Sequence, residues 1–251
     1  MTTTLKLTEI KHTLVMPAFN EEEKIERSIN KVVSFLRNNL DEFEVIITEN
    51  GSTDNTFIRA IQVAEKNTCV KVIHIEESGR GRALREAFKQ ASAPDIVGYV
   101  DADLPFDLQD YLNAIKKLIE DKADLVIGSR NMVGAHVKRP LIRWFLSRIF
   151  NFSVKIFLGL NVNDSQCGLK IIRKEKFLLI TDKIRNNNWF FDTELIFWFH
   201  RSGYSIKEVP VHCNMTSSTK VKIILDSWYM VNSILRLLTY RIKIFCALKR
   251  R

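Results

Sequence analysis

The sequence lacks a cysteine framework, a long apolar run and any internal repeat, and each absence removes a class of protein. Its four cysteines (Cys69, Cys167, Cys213, Cys246) are scattered, with no C-x-x-C pair. That argues against a disulfide or zinc scaffold and fits reduced thiols in a cytosolic compartment. The five histidines do not cluster, and His212 beside Cys213 reads as ordinary strand sequence rather than a ligand pair. No uninterrupted apolar stretch approaches the roughly 20 residues that span a bilayer as a helix. Met1 to Lys11 is short and polar, so no signal peptide is expected. There is no low-complexity tract.

What remains is the composition of a folded protein. Of 251 residues, 46% are hydrophobic, 10% aromatic and 27% charged, which allows a sizeable core in one large α/β domain or a domain with an appendage. Charge is unevenly placed. Residues 1–137 hold 17 Lys and Arg against 22 Asp and Glu, net −5, while residues 138–251 hold 21 against 7, net +14. The second half therefore expects an anionic partner: a membrane surface, phosphates or nucleic acid. The acidic first half argues against a nucleic-acid binder.

Along the chain, short apolar strands alternate with amphipathic helices, the pattern of a largely parallel sheet covered on both faces. Thr13 to Met16 is a strand stopped by Pro17, and Ile25, Ile29, Val32, Val33 and Leu36 follow at helical spacing. Asn20 suits the N-cap of that helix, with Glu23 at the capping-box position. Phe43 to Thr48 is a second strand that runs into Glu49-Asn50-Gly51-Ser52-Thr53-Asp54, a turn-and-cap sequence or a ligand loop at a strand's carboxyl end. After the third strand, Val70 to Ile75, comes Gly79-Arg80-Gly81-Arg82. It is neither G-x-G-x-x-G, since Leu84 replaces the third glycine, nor a Walker A loop; it reads equally as a basic turn or as an anion site.

The fourth strand, Ile96 to Val100, ends in Asp101-Ala102-Asp103. Two carboxylates at the end of a buried run repel and are costly to desolvate unless a cation lies between them. A hard divalent ion shared with phosphates meets that need; a solvated acidic loop is the plainer alternative. Asp107 caps the next helix, and a fifth strand, Asp124 to Ser129, exits at Arg130.

The ordered series Met16 to Glu22, Glu49 to Asp54, Gly79-Arg80-Gly81, Asp101-Ala102-Asp103 and Gly128-Ser129-Arg130 resembles the family 2 glycosyltransferases of GT-A fold. It continues through Asp164 to Lys170, Trp189 to Leu195, Lys207 to Val211 and Ser217 to Lys220, covering residues 13 to about 240. Within that family the chain is similar to the dolichyl- and polyprenyl-phosphate sugar synthases. The resemblance implies a mostly parallel, Rossmann-like sheet flanked by helices, and a nucleotide sugar, UDP- or GDP-hexose, on Pro17, Ala18, Phe19, Glu21, Glu49, Asn50, Ser52, Gly79, Arg80, Asp101, Ala102 and Asp103. Glu49-Asn50 departs from the family's Asp-Asp pair. Asp101 and Asp103 would hold Mg²⁺ or Mn²⁺ against the diphosphate, and Arg130 would stabilise developing phosphate charge. Asp164, Gln166, Asp192 and Glu194 fall on the acceptor side. A lipid phosphate oxygen would attack the anomeric carbon with inversion, and an anionic nucleophile has little need of a strong base. The Gln-Cys-Gly and Phe-Asp-x-Glu versions of the late motifs favour UDP-glucose over GDP-mannose. Two more distant alternatives are weaker. A nucleotidyltransferase would carry a glycine-rich, lysine-containing loop where Pro17-Ala18-Phe19-Asn20 stands, and a non-catalytic membrane-surface module would lose the paired aspartates.

In the second half, Leu141 to Leu158 is rich in Trp, Phe, Ile and Leu, with Arg143, Ser147, Asn151 and Lys155 recurring every four residues. An apolar face this wide is core or lies in a bilayer interface, and its basic and aromatic residues favour the interface. Residues 221–251 repeat the theme, with Lys222, Asp226, Ser233, Arg236 and Lys243 near one side and Lys249-Arg250-Arg251 at the end; the alternative is a helix packed on the domain. The sequence thus predicts a GT-A domain over residues 1–220, an inserted interface helix at about 141–158, and a basic amphipathic segment over 221–251. Arg139, Arg143, Ser218 and Lys220 are its candidates for the acceptor phosphate. It expects peripheral attachment to the cytoplasmic face of a membrane and leaves a homo-oligomer open.

Overall fold

A computed structural model describes residues 11–215 and 223–248, with side chains of the last helix described from Trp228 to Ile242. The chain runs β1 (His12–Ala18), α1 (Ile25–Arg37), β2 (Phe43–Asn50), α2 (Thr56–Ala64), β3 (Val70–Ile75), α3 (Arg80–Gln90), β4 (Ile96–Val100), α4 (Leu108–Glu120), β5 (Leu125–Ser129) and β6 (His136–Lys138). It continues with α5 (Leu141–Ser153), a π-helical turn (Val154–Leu158), β7 (Leu169–Arg173), α6 (Lys174–Leu178), α7 (Phe191–Arg201), β8 (Ile206–Pro210), β9 (His212–Asn214) and α8 (Ile223–Leu248).

The main sheet has the order β3-β2-β1-β4-β7-β5-β8. Five expected strands are present and pair in parallel where they adjoin. The sheet is mixed at one place: β7 inserts between β4 and β5, antiparallel to both. Leu14, Val15 and Met16 of β1 are wholly buried because both faces are covered, which is why the strand reads as a continuous apolar run. One face packs on α1, α2 and α4 through Ile29, Val32, Ala60 and Ile115. The other packs on α3, α6 and α7 through Leu84, Phe88, Phe177 and Phe197, with Ile234 and Leu237 of α8 joining them. Gly98 interrupts the apolar run of β4 because a Cβ there would overlap the Tyr111 hydroxyl and Ile171.

Two local expectations differ. Asp107 does cap α4, accepting the Gln109 N–H at 2.9 Å. Asn20 does not cap α1, which begins after Lys24 without a side-chain cap. Asn20 instead adopts φ 51° and accepts the Thr53 N–H at 2.8 Å, lacing the exit of β1 to the exit of β2. Competition from that neighbouring loop for the Asn20 amide oxygen overrides the local capping preference.

The polar and apolar sides of α5 are reversed relative to an ordinary surface helix. Arg143 and Ser147 are half-buried and Asn151 is buried, while Leu141 (84% exposed), Phe145 and Phe152 (65%) face outward. Asn151 pins the polar side by accepting the Ser165 N–H and Oγ–H, each at 2.8 Å, and donating to the Ser147 carbonyl at 2.9 Å. Lys155 leaves the stripe and is exposed, since a spacing of four drifts by about 40° per step on a helix of 3.6 residues per turn. Along α8, Ser233 is buried and Arg236 half-buried, whereas Trp228 (71% exposed), Val231, Leu235 and Ile242 are exposed. No helix among the described residues is long and apolar enough to cross a membrane.

Candidate active site

The exits of β1, β2 and β4 meet at one edge of the sheet, around a cavity of about 650 Å³. Pro17, Ala18, Phe19 and Glu21 from the exit of β1 line it, as do Asn50, Gly79 and Arg80. Asp101, Ala102 and Asp103 lie at the end of β4, and Arg143 reaches in from the polar side of α5. The Asn50 side-chain oxygen is buried and has no hydrogen-bond partner among the described residues, so an acceptor waits in the cavity wall.

Several expected site residues lie behind the wall. Glu49 is buried and holds the loop together: it accepts the Ser52 N–H at 2.5 Å and its other oxygen lies 2.5 Å from His74 Nδ1. Ser52 in turn accepts the Asn20 N–H at 3.0 Å. Neither lines the cavity. Arg130 does not face it either; it forks onto the buried Asp164 at 2.7 and 2.9 Å. Burial opposes the charge on Asp164, and Arg130 overcomes this, holding the carboxyl below the usual range. Gln166 donates to Thr193 Oγ1 at 2.6 Å. Arg139 donates to Asn131 at 2.7 Å and lies outside the lining. Ser218 and Lys220 fall outside the described residues.

Asp192, expected beside an acceptor, is the centre of a buried charge group. Its carboxylate accepts Arg80 at 2.7 Å, Lys170 at 2.7 Å and the Tyr99 hydroxyl. Burial opposes ionisation of Asp192, and Arg80 and Lys170 outweigh it, so the carboxyl stays charged. Arg80 bridges to the cavity, donating from Nε to Asp101 at 2.9 Å, and its guanidinium lies over the rings of Tyr99 and Trp189. A Cβ on Gly168 would overlap Asp101 Oδ2, so any larger residue there would displace the carboxylate from Arg80.

The two glycines around Arg80 serve the protein's own backbone. A Cβ on Gly79 would lie 2.6 Å from the Asn187 carbonyl oxygen, and one on Gly81 2.6 Å from that of Asn186. The Gly81 and Arg82 N–H groups donate to the Asn187 carbonyl at 2.9 and 3.1 Å, so these two donors at the start of α3 are satisfied within the protein, while Gly79 and Arg80 themselves line the cavity. Asn188 and Trp189, which the motifs did not single out as lining, complete the cavity wall. An aromatic after three asparagines was the available signal. Lys170, a lone lysine within an apolar strand, carried a similar one.

Among the described residues no group of three or more His, Cys, Asp or Glu side chains is arranged to hold a metal. Asp101 and Asp103 nonetheless fit an ion that completes its shell with phosphate oxygens. Partial burial and the neighbouring carboxylates of Asp101 and Glu21 push the Asp103 carboxyl up to about 6, a repulsion that a divalent cation relieves.

A mostly parallel sheet flanked by helices, with a D-x-D pair at the edge of a cavity fed by three strand exits, defines the class: this is the GT-A fold of nucleotide-sugar-dependent transferases. The chain belongs to glycosyl transferase family 2, whose sequence model matches residues 13–179. It is 34% identical over 226 residues to Glycosyltransferase AglD of Haloferax volcanii, covering 89% of this chain but only 36% of that protein. It is 27% identical over 245 residues to the dolichyl-phosphate beta-glucosyltransferase of Saccharomyces cerevisiae, covering 90% of this chain and 73% of that one. Among solved structures it is similar to glucosyl-3-phosphoglycerate synthase from Mycobacterium tuberculosis in complex with UDP, with a TM-score of 0.66, 23% identity, and coverage of 94% of this chain and 84% of that one. A complex of the same synthase with Mn²⁺, UDP and glucosyl-3-phosphoglycerate matches with a TM-score of 0.64.

Proposed function

We propose that this glycosyltransferase moves glucose from UDP-glucose to the phosphate of a dolichyl or polyprenyl lipid at the cytoplasmic face of a membrane, inverting the anomeric carbon. The observation that carries the reading is α5: its outer face is apolar while its polar face sends Arg143 into the donor cavity. One helix thereby offers lipid a surface and a phosphate a cation. The relatives named dolichyl-phosphate beta-glucosyltransferases support the sugar and the acceptor.

Asp101 and Asp103 would hold Mg²⁺ or Mn²⁺, which neutralises charge on the departing diphosphate. Asn50 offers its free side-chain oxygen to the base, and Pro17 to Phe19 form the floor beneath it. Arg143 draws the lipid phosphate to the cavity. A phosphate oxygen bonds to the anomeric carbon as the bond from that carbon to the diphosphate oxygen breaks, and the nucleoside diphosphate leaves with the electron pair. The nucleophile is already anionic, so positioning and charge neutralisation supply the catalysis. The carboxylates of Asp164, Asp192 and Glu194 have their partners inside the protein and act by holding the frame.

The test is to incubate purified protein with Mn²⁺, polyprenyl phosphate and labelled UDP-glucose, UDP-galactose or GDP-mannose, then extract with organic solvent. Label from UDP-glucose is expected in the organic phase. Label arriving only from GDP-mannose would reassign the donor, and label confined to a soluble product would overturn the acceptor.

A further inference from the structure

Glu194 is almost wholly buried yet lies outside the cavity lining, and its two oxygens face two different elements. Oε2 accepts the backbone N–H groups of Arg185 and Asn186 at 3.2 and 2.7 Å, and Oε1 accepts Arg236 of α8 at 2.9 Å. The segment it grips is the one that walls the donor cavity. Asn186 Oδ1 accepts the Asn188 N–H at 2.9 Å, the Asn187 carbonyl caps α3 beside Arg80, and Trp189 stacks on the Arg80 guanidinium 5.4 Å away. Hydrogen bonds to residues 185–188 and the cation–π contact of Trp189 therefore join α8 to the residue that holds Asp101.

At its other side α8 carries an apolar face, and Arg241 fastens the helix to the turn after α5 by donating to the Phe157 and Ile156 carbonyls at 2.7 and 3.1 Å. Two helices with polar sides inward and apolar sides outward are thus tied together, in the half of the chain with net charge +14. An anionic lipid surface matches that combination.

We infer that Glu194 is a positioning residue that couples the seating of α8 on an anionic bilayer to the geometry of the donor-site wall, so that lipid contact strengthens nucleotide binding. This rests on the membrane reading proposed above. A ligand that orders α8 lowers the cost of ordering residues 185–189, and the gain passes to whatever binds against Asn188 and Trp189.

The experiment measures UDP affinity in the presence of Mn²⁺ by titration calorimetry, with and without vesicles of equimolar phosphatidylcholine and phosphatidylglycerol, alongside vesicle flotation. Wild-type protein should float and bind UDP about fivefold more tightly or better when vesicles are present, the lower end of ordinary coupling between sites. Arg236→Met should still float but lose the vesicle effect, Arg236→Lys should recover part of it, and Glu194→Gln should weaken UDP binding even in buffer. Arg236→Met leaves the buried Glu194 carboxylate with only its backbone donors, so a thermal melt checks that each variant stays folded before its UDP affinity is compared. Equal vesicle responses in wild type and Arg236→Met would overturn the coupling, as would flotation of wild type with unchanged UDP affinity. Failure of wild type to float would instead remove the membrane reading itself, and the coupling with it.

Discussion

Arg80, Asp101, Asp192 and Lys170 form a charge-balanced quartet, of which only Arg80 and Asp101 touch the cavity. A cation and a carboxylate that are each buried need the other to remain, so removing one leaves an unpaired ion in low dielectric. Lys170→Met should therefore lower unfolding stability by about 3 kcal/mol in chemical denaturation, the cost of breaking a buried pair from one side. Asp103→Asn should abolish transfer while leaving the melting temperature unchanged or slightly higher, because it removes a carboxylate crowded by Asp101 and Glu21; near-normal turnover would remove its metal role. These residues show what was legible at this scale. Asp101 and Asp103 could be read from sequence because a strand end exposes its chemistry directly. The inward roles of Asp164, Asp192 and Glu194 could not, because a carboxylate looks the same in sequence whether its partner is a substrate or an arginine distant in the chain.

At the scale of elements, α5 has a polar and an apolar side, and the spacing of its residues alone does not say which side faces the protein. That is decided by Asn151, whose side chain satisfies both Ser165 and the Ser147 carbonyl and so turns the polar stripe inward. Phe152 then projects outward, 65% exposed. Phe152→Glu should abolish flotation with anionic vesicles and leave thermal stability within a degree or two of wild type, since an exposed site contributes little to folding. Loss of stability comparable to a core substitution would mean the face is buried in solution. β1 to β5 are legible from short apolar stretches, whereas β8 (Ile-Lys-Glu-Val-Pro), parallel to β5, is not. Nor is β7, because Lys170, its second residue, breaks the run, and the Asp192 carboxylate and the Cys167 carbonyl make that lysine tolerable inside the sheet.

The whole molecule carries an acid sensitivity that lies far from the cavity. His12 opens β1, is buried, and has no hydrogen-bond partner for either ring nitrogen among the described residues. Burial pushes its pKa down from 6.5 to about 4. The unfolded chain therefore binds this proton more readily than the folded one between those values, and stability falls as pH drops through that window. The loss amounts to on the order of 3 kcal/mol for a shift of this size. Denaturation of wild type and His12→Phe across pH 4 to 7 should show a flatter profile for the variant; parallel profiles would assign the acid sensitivity elsewhere.

The placement of β7 sets an order of assembly. β4 and β5 are neighbours in sequence but are kept apart in the sheet until residues 169–173 arrive between them. During synthesis the amino-terminal strands β1, β2, β3 and β4 can pair as soon as they emerge, because each lies beside a partner already made. The half containing β5 and β8 has no edge to join before then. The strand that closes the gap also brings Lys170, while the sheet and the charged quartet are completed only when β8 and Asp192 follow, and long-range closure of this kind is slow. A ribosome-bound chain stopped short of β7 would hold β1 to β4 with the β4 edge, Ile96 to Val100, unpaired, and an open edge of this kind invites aggregation.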